Sequence, residues 1–300
     1  MPLAVGVSRV LVMGGTGLLG QYVVREALAR HHDVLATVRG DAARPSLGTR
    51  IPLDLTDSHA IAQVVANAKP DLVVNAAAIT DVDGCEKRPK DAQRINATAV
   101  GELAHAAAKA GAGFVHASTD YVFDGSGPAA EETPPRPLSV YGRTKLEGEH
   151  LALSSHPEAL ILRLSAVFGW NRISERSNSV TWILTRLESG LDVPLFQDQR
   201  ITPTYARTAA EVAFDLWERK RSGLYHVACK DCLTRVEMGR AVAEVFGHPA
   251  ARLKPIPMAS VSLLAPRPKA PCLVVRKVEE TLKRPMPTFR ECLDDMRGTR

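Results

Sequence analysis

No stretch of this 300-residue chain approaches the roughly 20 consecutive apolar residues that a membrane-spanning helix needs. The opening Met1-Pro2-Leu3-Ala4-Val5-Gly6-Val7 is apolar but short and has no basic lead, so it does not read as a signal peptide. Both absences point to a protein of the cytoplasm with no membrane partner. Cysteine is scarce: Cys85, Cys229, Cys232, Cys272 and Cys292 are too few and too scattered for a disulfide scaffold. Cys229-Lys230-Asp231-Cys232 has the CxxC spacing, yet no second pair of ligands sits nearby, so no metal is expected and these cysteines read as ordinary thiols beside a strand end. Aromatic residues make up only 5%, and the basic residues, despite a net charge of +5, form no run of five. That argues against a nucleic-acid surface and for a site that holds diphosphate-bearing molecules.

What is present is alternation. Arg9 to Met13, Asp33 to Val38, Asp71 to Asn75, Gly113 to Ala117 and Ala159 to Leu164 are short, apolar throughout and separated by helical stretches at 18–30, 92–110 and 141–154. Strands apolar on both faces and separated by helices predict an α/β fold, a doubly wound parallel sheet. Beyond about residue 170 ten prolines break the alternation, with helices expected at 178–189, 205–221 and 234–247. Residues 1–170 are therefore read as a dinucleotide-binding domain of the Rossmann type. Residues 171–300 are read as mainly a smaller substrate lobe, some segments returning to the core.

Gly14-Gly15-Thr16-Gly17-Leu18-Leu19-Gly20 lies where the first strand ends and a helix begins. Glycines there let the backbone approach a pyrophosphate, and the helix N-terminus points its free amides at the charge. Gly14, Thr16, Gly17, Leu18 and Leu19 are the expected contacts. An acidic residue usually ends the second strand in NAD-preferring folds; this chain has Arg39, with Arg44 close behind. A guanidinium suits a 2′-phosphate, so NADP is expected over NAD. Asp54, where the third unit begins, is placed to bond the adenine amine.

Ser118-Thr119-Asp120 ends the strand at 113–117, and Tyr141 and Lys145 stand four apart on the next helix, hence on one face. A phenol titrates near 10, but a neighbouring ammonium and a cationic nicotinamide favour phenolate. Tyr141 is then the proton donor beside the cofactor, Lys145 its modulator and the residue that positions the cofactor ribose, and Thr119 a hydrogen-bond partner of the substrate oxygen.

Longer runs carry a resemblance: Asn75 to Glu86 (NAAAITDVDGCE), Ser118 to Gly125 (STDYVFDG), Pro137 to Glu149 (PLSVYGRTKLEGE) and Thr202 to Ala206 (TPTYA). With these the chain resembles the extended short-chain dehydrogenases, and more closely the dTDP-4-dehydrorhamnose reductase family, from the first strand to about Leu273. The resemblance implies NADPH-dependent reduction of the C4 keto group of a nucleotide-linked 6-deoxy-4-ketohexose, as in dTDP-L-rhamnose biosynthesis. It puts Asp54 and Leu55 near the adenine, and Ala76, Ala77, Ala78 and Ala117 along the ribose and nicotinamide. It makes Thr119, Tyr141 and Lys145 catalytic, sets Val82, Asp83 and Asp120 beside the sugar, and assigns Asn178 and Arg267 to the nucleotide half. A homodimer is an assembly open to such a chain.

The chain also departs from its family. Ala166 stands where similar reductases have a tryptophan over the sugar, and Lys269-Ala270-Pro271-Cys272 replaces small polar residues. Sugar-nucleotide 4,6-dehydratases have a glutamate where this chain has Tyr121, which excludes their proton abstraction; a 4-epimerase needs the same Tyr and Lys. The runner-up is a non-catalytic NADP-binding subunit resembling the methionine adenosyltransferase beta subunit. It is disfavoured by Thr80-Asp81-Val82-Asp83 and by the short tail after the last helix. Trp170 is a candidate for the sugar; Trp182 and Trp217 are expected to pack their helices.

Overall fold

A computed structural model describes residues 6–40, 48–174 and 176–300. Arg44 and the first five residues of the opening heptapeptide lie outside them. The first half runs β1 (Arg9–Met13), α1 (Leu18–Ala29), β2 (Asp33–Val38), β3 (Thr49–Pro52), α2 (Ser58–Ala68), β4 (Leu72–Asn75), α3 (Val82–Lys87), α4 (Pro89–Gln93), α5 (Ala99–Ala110), β5 (Gly113–Thr119), α6 (Val140–Ser155) and β6 (Leu160–Leu164). The second half adds α7 (Ser179–Glu188), β7 (Val193–Phe196), β8 (Arg200–Ile201), α8 (Ala206–Glu218), β9 (Gly223–His226), β10 (Leu233–Thr234), α9 (Arg235–Phe246), β11 (Leu253–Ile256), α10 (Arg276–Leu282) and α11 (Phe289–Gly298).

Seven strands form one parallel sheet in the order β3-β2-β1-β4-β5-β6-β9. Leu11 pairs with Leu35 on one side and Val73 on the other, so β1 is central. Successive residues of a strand point to opposite faces. Val10 and Val12 accordingly pack into one cluster with α1 and α8, while Leu11 and Met13 enter another with α2 and α5. This is the doubly wound sheet that the apolar strands predict, helices covering both faces. A third cluster, built on α7, α9 and α11, is the core of the second lobe.

The second half also completes the first. Strand β9 extends the main sheet beside β6, and α8 lies over α1. Between α4 and α5 the helix expected as continuous over 92–110 widens into a π-helical turn at Arg94–Thr98. Asn96 in that turn accepts from the Ile79 amide at 2.9 Å and donates to the Ile79 carbonyl at 3.0 Å. The wide turn thus pins the loop that follows β4, and π-bulges of this kind recur at functional sites.

The cysteines require a correction. Cys232 and Cys272 are joined in a disulfide that closes 40 residues of chain, tying the segment before α9 to the segment after Arg267. The pairing was not legible because the two positions meet only after the second lobe folds. Cys229 lies 3.7 Å from Cys292, sulfur to sulfur, both buried.

Candidate active site

The glycine turn sits at the carboxyl end of β1. Gly14 has φ +75°, a conformation that L side chains avoid, and a Cβ there would come within 3.0 Å of Ala77. Gly17 precedes α1 without a side-chain cap, so no capping side chain occupies the first amides of the helix. Ala76 donates its amide to Met13, which holds the Ala76-Ala77-Ala78 segment against the turn. Arg39 follows β2 and is exposed. Asp54 accepts from the Thr56 amide at 2.8 Å. That bond, with help from the Arg39 and Arg94 cations, holds its carboxyl below the usual range. The expected 2′-phosphate and adenine residues are thereby neighbours. These features fit a dinucleotide: uncapped amides at a helix start, a backbone with no room for a Cβ, and a guanidinium at the second strand's end.

Thr119, the last residue of β5, is buried, and Ser139 caps the helix that carries Tyr141 and Lys145. The Tyr141 hydroxyl is in hydrogen-bond range of Thr119. Thr119 also donates to Asp120 Oδ1 at 3.1 Å, and Ser165 donates to Asp120 Oδ2 at 2.6 Å. Burial pushes the Asp120 carboxyl up to about 6, the Ser165 and Thr119 bonds opposing it. Ala166, next to Ser165, has a left-handed φ of 41°; strained non-glycine backbone of this kind clusters at active sites.

The expected depression of the Tyr141 phenol is not produced by the protein's own groups. Burial raises it, and Asp120, Tyr121 and Cys85 act in the same sense; only the Thr119 bond lowers it. Lys145 is directed elsewhere, donating to the Ala117 carbonyl at 2.6 Å and lying 3.1 Å from His116 Nε2. Burial lowers its amine to about 8 against the pull of Glu149.

A cavity of about 350 Å³ is lined by Tyr121, two residues beyond Thr119, and by Ser179, Trp182, Gln199, Arg235, Arg267 and apolar residues that include those of α7, β7 and α9. Arg267 pairs with Asp83 at 3.1 Å, and Asp83 also accepts from the Ala265 amide. Gln199 Oε1 accepts from Arg235 Nε at 3.0 Å while its amide donates to the Pro268 carbonyl, bracketing the two arginines. Asp120 and Tyr121 both feel the Arg235 charge.

Asn178 is not directed into this cavity. Its side chain caps α7, accepting from Val180 and Thr181 and donating to the Gly169 carbonyl; the adjacent Ser179 lines the wall instead. Val82 begins α3 and packs in the cluster around Tyr141. Trp170 donates its indole N–H to Met296, away from the cavity, and Trp217 packs on Phe214. Trp182, expected only to pack, is in the cavity wall. Sequence reasoning missed Arg235, Gln199 and His116. The one available signal was the Thr234-x-x-Glu237 capping box, which sets Arg235 at the first turn of α9.

A family model, RmlD substrate binding domain, matches residues 8–299. The chain belongs to the RmlD family. Among RmlD-like proteins it is 38% identical over 286 residues to a probable low-salt glycan biosynthesis reductase, Agl14, of Haloferax volcanii, covering 94% of this chain and 95% of that protein. It is 34% identical to the methionine adenosyltransferase 2 subunit beta of Xenopus tropicalis, over 91% of this chain and 82% of that one. The crystal structure of dTDP-4-dehydrorhamnose reductase from Bacillus anthracis str. Ames, in complex with NADP, superposes with a TM-score of 0.87 at 25% identity, over 98% of this chain and 100% of that one. The RmlD resemblance inferred from the motifs therefore holds, and the family is one of oxidoreductases.

Proposed function

We propose that this RmlD-family chain reduces the C4 keto group of a nucleotide-linked 6-deoxy-4-ketohexose and uses NADPH in preference to NADH. The observation that supports this reading is the Thr119–Tyr141 hydrogen-bond pair, in a chain that also has the glycine turn packed on Ala77 and a cavity lined by Tyr121 and two arginines. The reduced nicotinamide, when bound, supplies the hydride. Leu18 and Leu19 offer amides to its diphosphate, Arg39 a guanidinium to its 2′-phosphate, and Asp54 and Leu55 an adenine contact. Thr119 holds the substrate oxygen and Tyr141 gives it a proton. Asp83, Asp120 and Arg267 face the sugar and nucleotide, with Arg235 added to them.

The test is incubation with the 4-keto product of a dTDP-glucose dehydratase and epimerase, following cofactor absorbance with NADPH and then with NADH. Stoichiometric NADPH oxidation supports the reading. Sugar turnover without cofactor consumption would indicate a 4-epimerase.

The likeness to the adenosyltransferase subunit favours a second reading, a non-catalytic regulatory partner. Arg267 in the cavity wall, paired with Asp83, speaks for a substrate site instead. NADPH binding with no turnover, together with capture of an adenosyltransferase catalytic subunit, would reverse the preference.

A further inference from the structure

Behind Lys145 stands a row of polar groups that neither hydride delivery nor sugar binding uses. His116 of β5 is fully buried, its ring parallel to that of Phe114. Its Nδ1 lies 3.1 Å from Asn75 Nδ2 and its Nε2 lies 3.1 Å from Lys145 Nζ. Burial holds the imidazole well below its ordinary pKa, with Lys145 acting in the same sense, so the ring is neutral and carries one hydrogen.

The backbone decides which nitrogen carries it. The Ala77 amide donates to Asn75 Oδ1 at 3.1 Å, and a backbone N–H only donates. The Asn75 oxygen therefore faces Ala77, and its NH₂ faces His116. Nδ1 must accept, which leaves the ring hydrogen on Nε2, directed at Nζ. An ammonium has no lone pair to receive that hydrogen, whereas an amine has one. The same amine still donates to the Ala117 carbonyl. Charging Lys145 would set two donors against each other at Nε2, or at Asn75 if the ring changed tautomer.

The charges around Nζ do not override this. On α6, Glu149 lies one turn away and favours the ammonium, but its carboxylate is bound by Arg163 of β6 at 2.7 and 2.9 Å and by the Ser118 hydroxyl of β5. Tyr141, on the same helix face, is held as the neutral phenol by burial. From β5 comes neutral His116, and from β4 the uncharged Asn75.

We propose that Asn75 and His116 are positioning residues that favour the amine of Lys145 over the ammonium in the nucleotide-free protein, so that binding of the dinucleotide shifts the balance toward the charged form. This rests on reading Lys145 as part of the cofactor and proton-transfer face. Binding of the dinucleotide then takes up a proton at pH above about 8, where the amine is unprotonated beforehand.

Two measurements test it, and neither needs the sugar substrate. ¹³C NMR of the Lys145 Cε in the protein without nucleotide follows the titration directly. The midpoint should fall near 8 in the unaltered chain and rise by roughly one pH unit or more in Asn75→Leu, where the ring is free to move its hydrogen to Nδ1 and accept from an ammonium. His116→Gln, whose amide oxygen turns to Nζ, should shift it in the same direction. Unchanged midpoints in both variants would mean that burial alone sets the titration, and would overturn the proposal. Calorimetry of NADPH binding in buffers of different ionisation enthalpy at pH 9 should show an uptake approaching one proton, reduced to about half or less in both variants. Undiminished uptake in the variants counts against the proposal. Failure to turn over any ketohexose, with the titration shift and proton uptake as described, would remove the proposed reaction and leave this inference standing.

Discussion

The two sides of the Thr119–Tyr141 line are built differently. Behind it, toward β4 and β6, the polar groups answer one another: Asn75 with His116, His116 with Lys145, Glu149 with Arg163 and Ser118. In front, toward the second lobe and among the described residues, Asp83 pairs with Arg267 while the Arg235 side chain has only the Gln199 side-chain carbonyl oxygen, and Ser179 Oγ and Arg267 Nη1 are buried without a protein partner, as Arg163 Nη1 is in the rear. Buried polar groups left unpaired cost stability, which is what the proposed nucleotide sugar would offset at the front wall. On the proposed function, the rear bears on the protonation of the reacting groups and the front on which substrate enters.

The largest effect expected from this division is at the line itself. Tyr141→Phe should reduce turnover by about 10²–10⁴, as loss of a general acid does, while NADPH affinity measured by fluorescence stays within about threefold. Full activity in that variant would break the assignment of the proton donor. On the front wall, Arg235→Met should raise KM for the nucleotide sugar by about 10- to 100-fold, the loss of one charged hydrogen bond, with kcat within a few-fold. A fall in kcat at constant KM would make Arg235 part of the rear machinery instead.

Asp120 stands between the two sides and links them to pH. Its carboxyl, raised to about 6 by burial, binds its proton more tightly folded than unfolded. Ionising it therefore costs stability as pH rises from about 4 through 6, and denaturation midpoints should fall across that window. If the sugar needs the carboxylate, kcat/KM at pH 5 should be about tenfold below its plateau, and Asp120→Asn should remove the limb. A limb that persists in Asp120→Asn belongs to another group. The smallest effect is at the cofactor's far end. Arg39→Gln should weaken NADPH by about five- to tenfold and leave NADH unchanged, read as the ratio of the two Kd values. Equal losses would remove the argument from the 2′-phosphate.

How much of this was legible follows from how local each signal is. β1 and β2 begin and end where their apolar runs do, because a strand buried on both faces needs no partner's identity to be recognised. The Tyr141–Lys145 face follows from helical spacing alone. Strands β3 and β9 were hidden: Thr49–Pro52 is polar at a sheet edge, and Gly223–His226 comes from a half whose pattern suggests a separate lobe. The π-helical turn was hidden too, since Asn96 widens the helix only because Ile79 lies beside it.

The amino-acid sequence by itself determined the doubly wound core, the glycine turn and the order of hydroxyl, phenol and amine along β5 and α6. Each depends on residues close in the chain, where backbone geometry converts spacing into position. Only the tertiary structure decided what surrounds them. His116 and the Ala117 carbonyl of β5 engage Lys145, and segments some thirty residues apart carry Arg235 and Arg267 to one cavity, braced by Gln199 and by the Cys232–Cys272 disulfide. Hydrogen-bond direction and burial set protonation, and both belong to neighbours that the chain's linear order does not name.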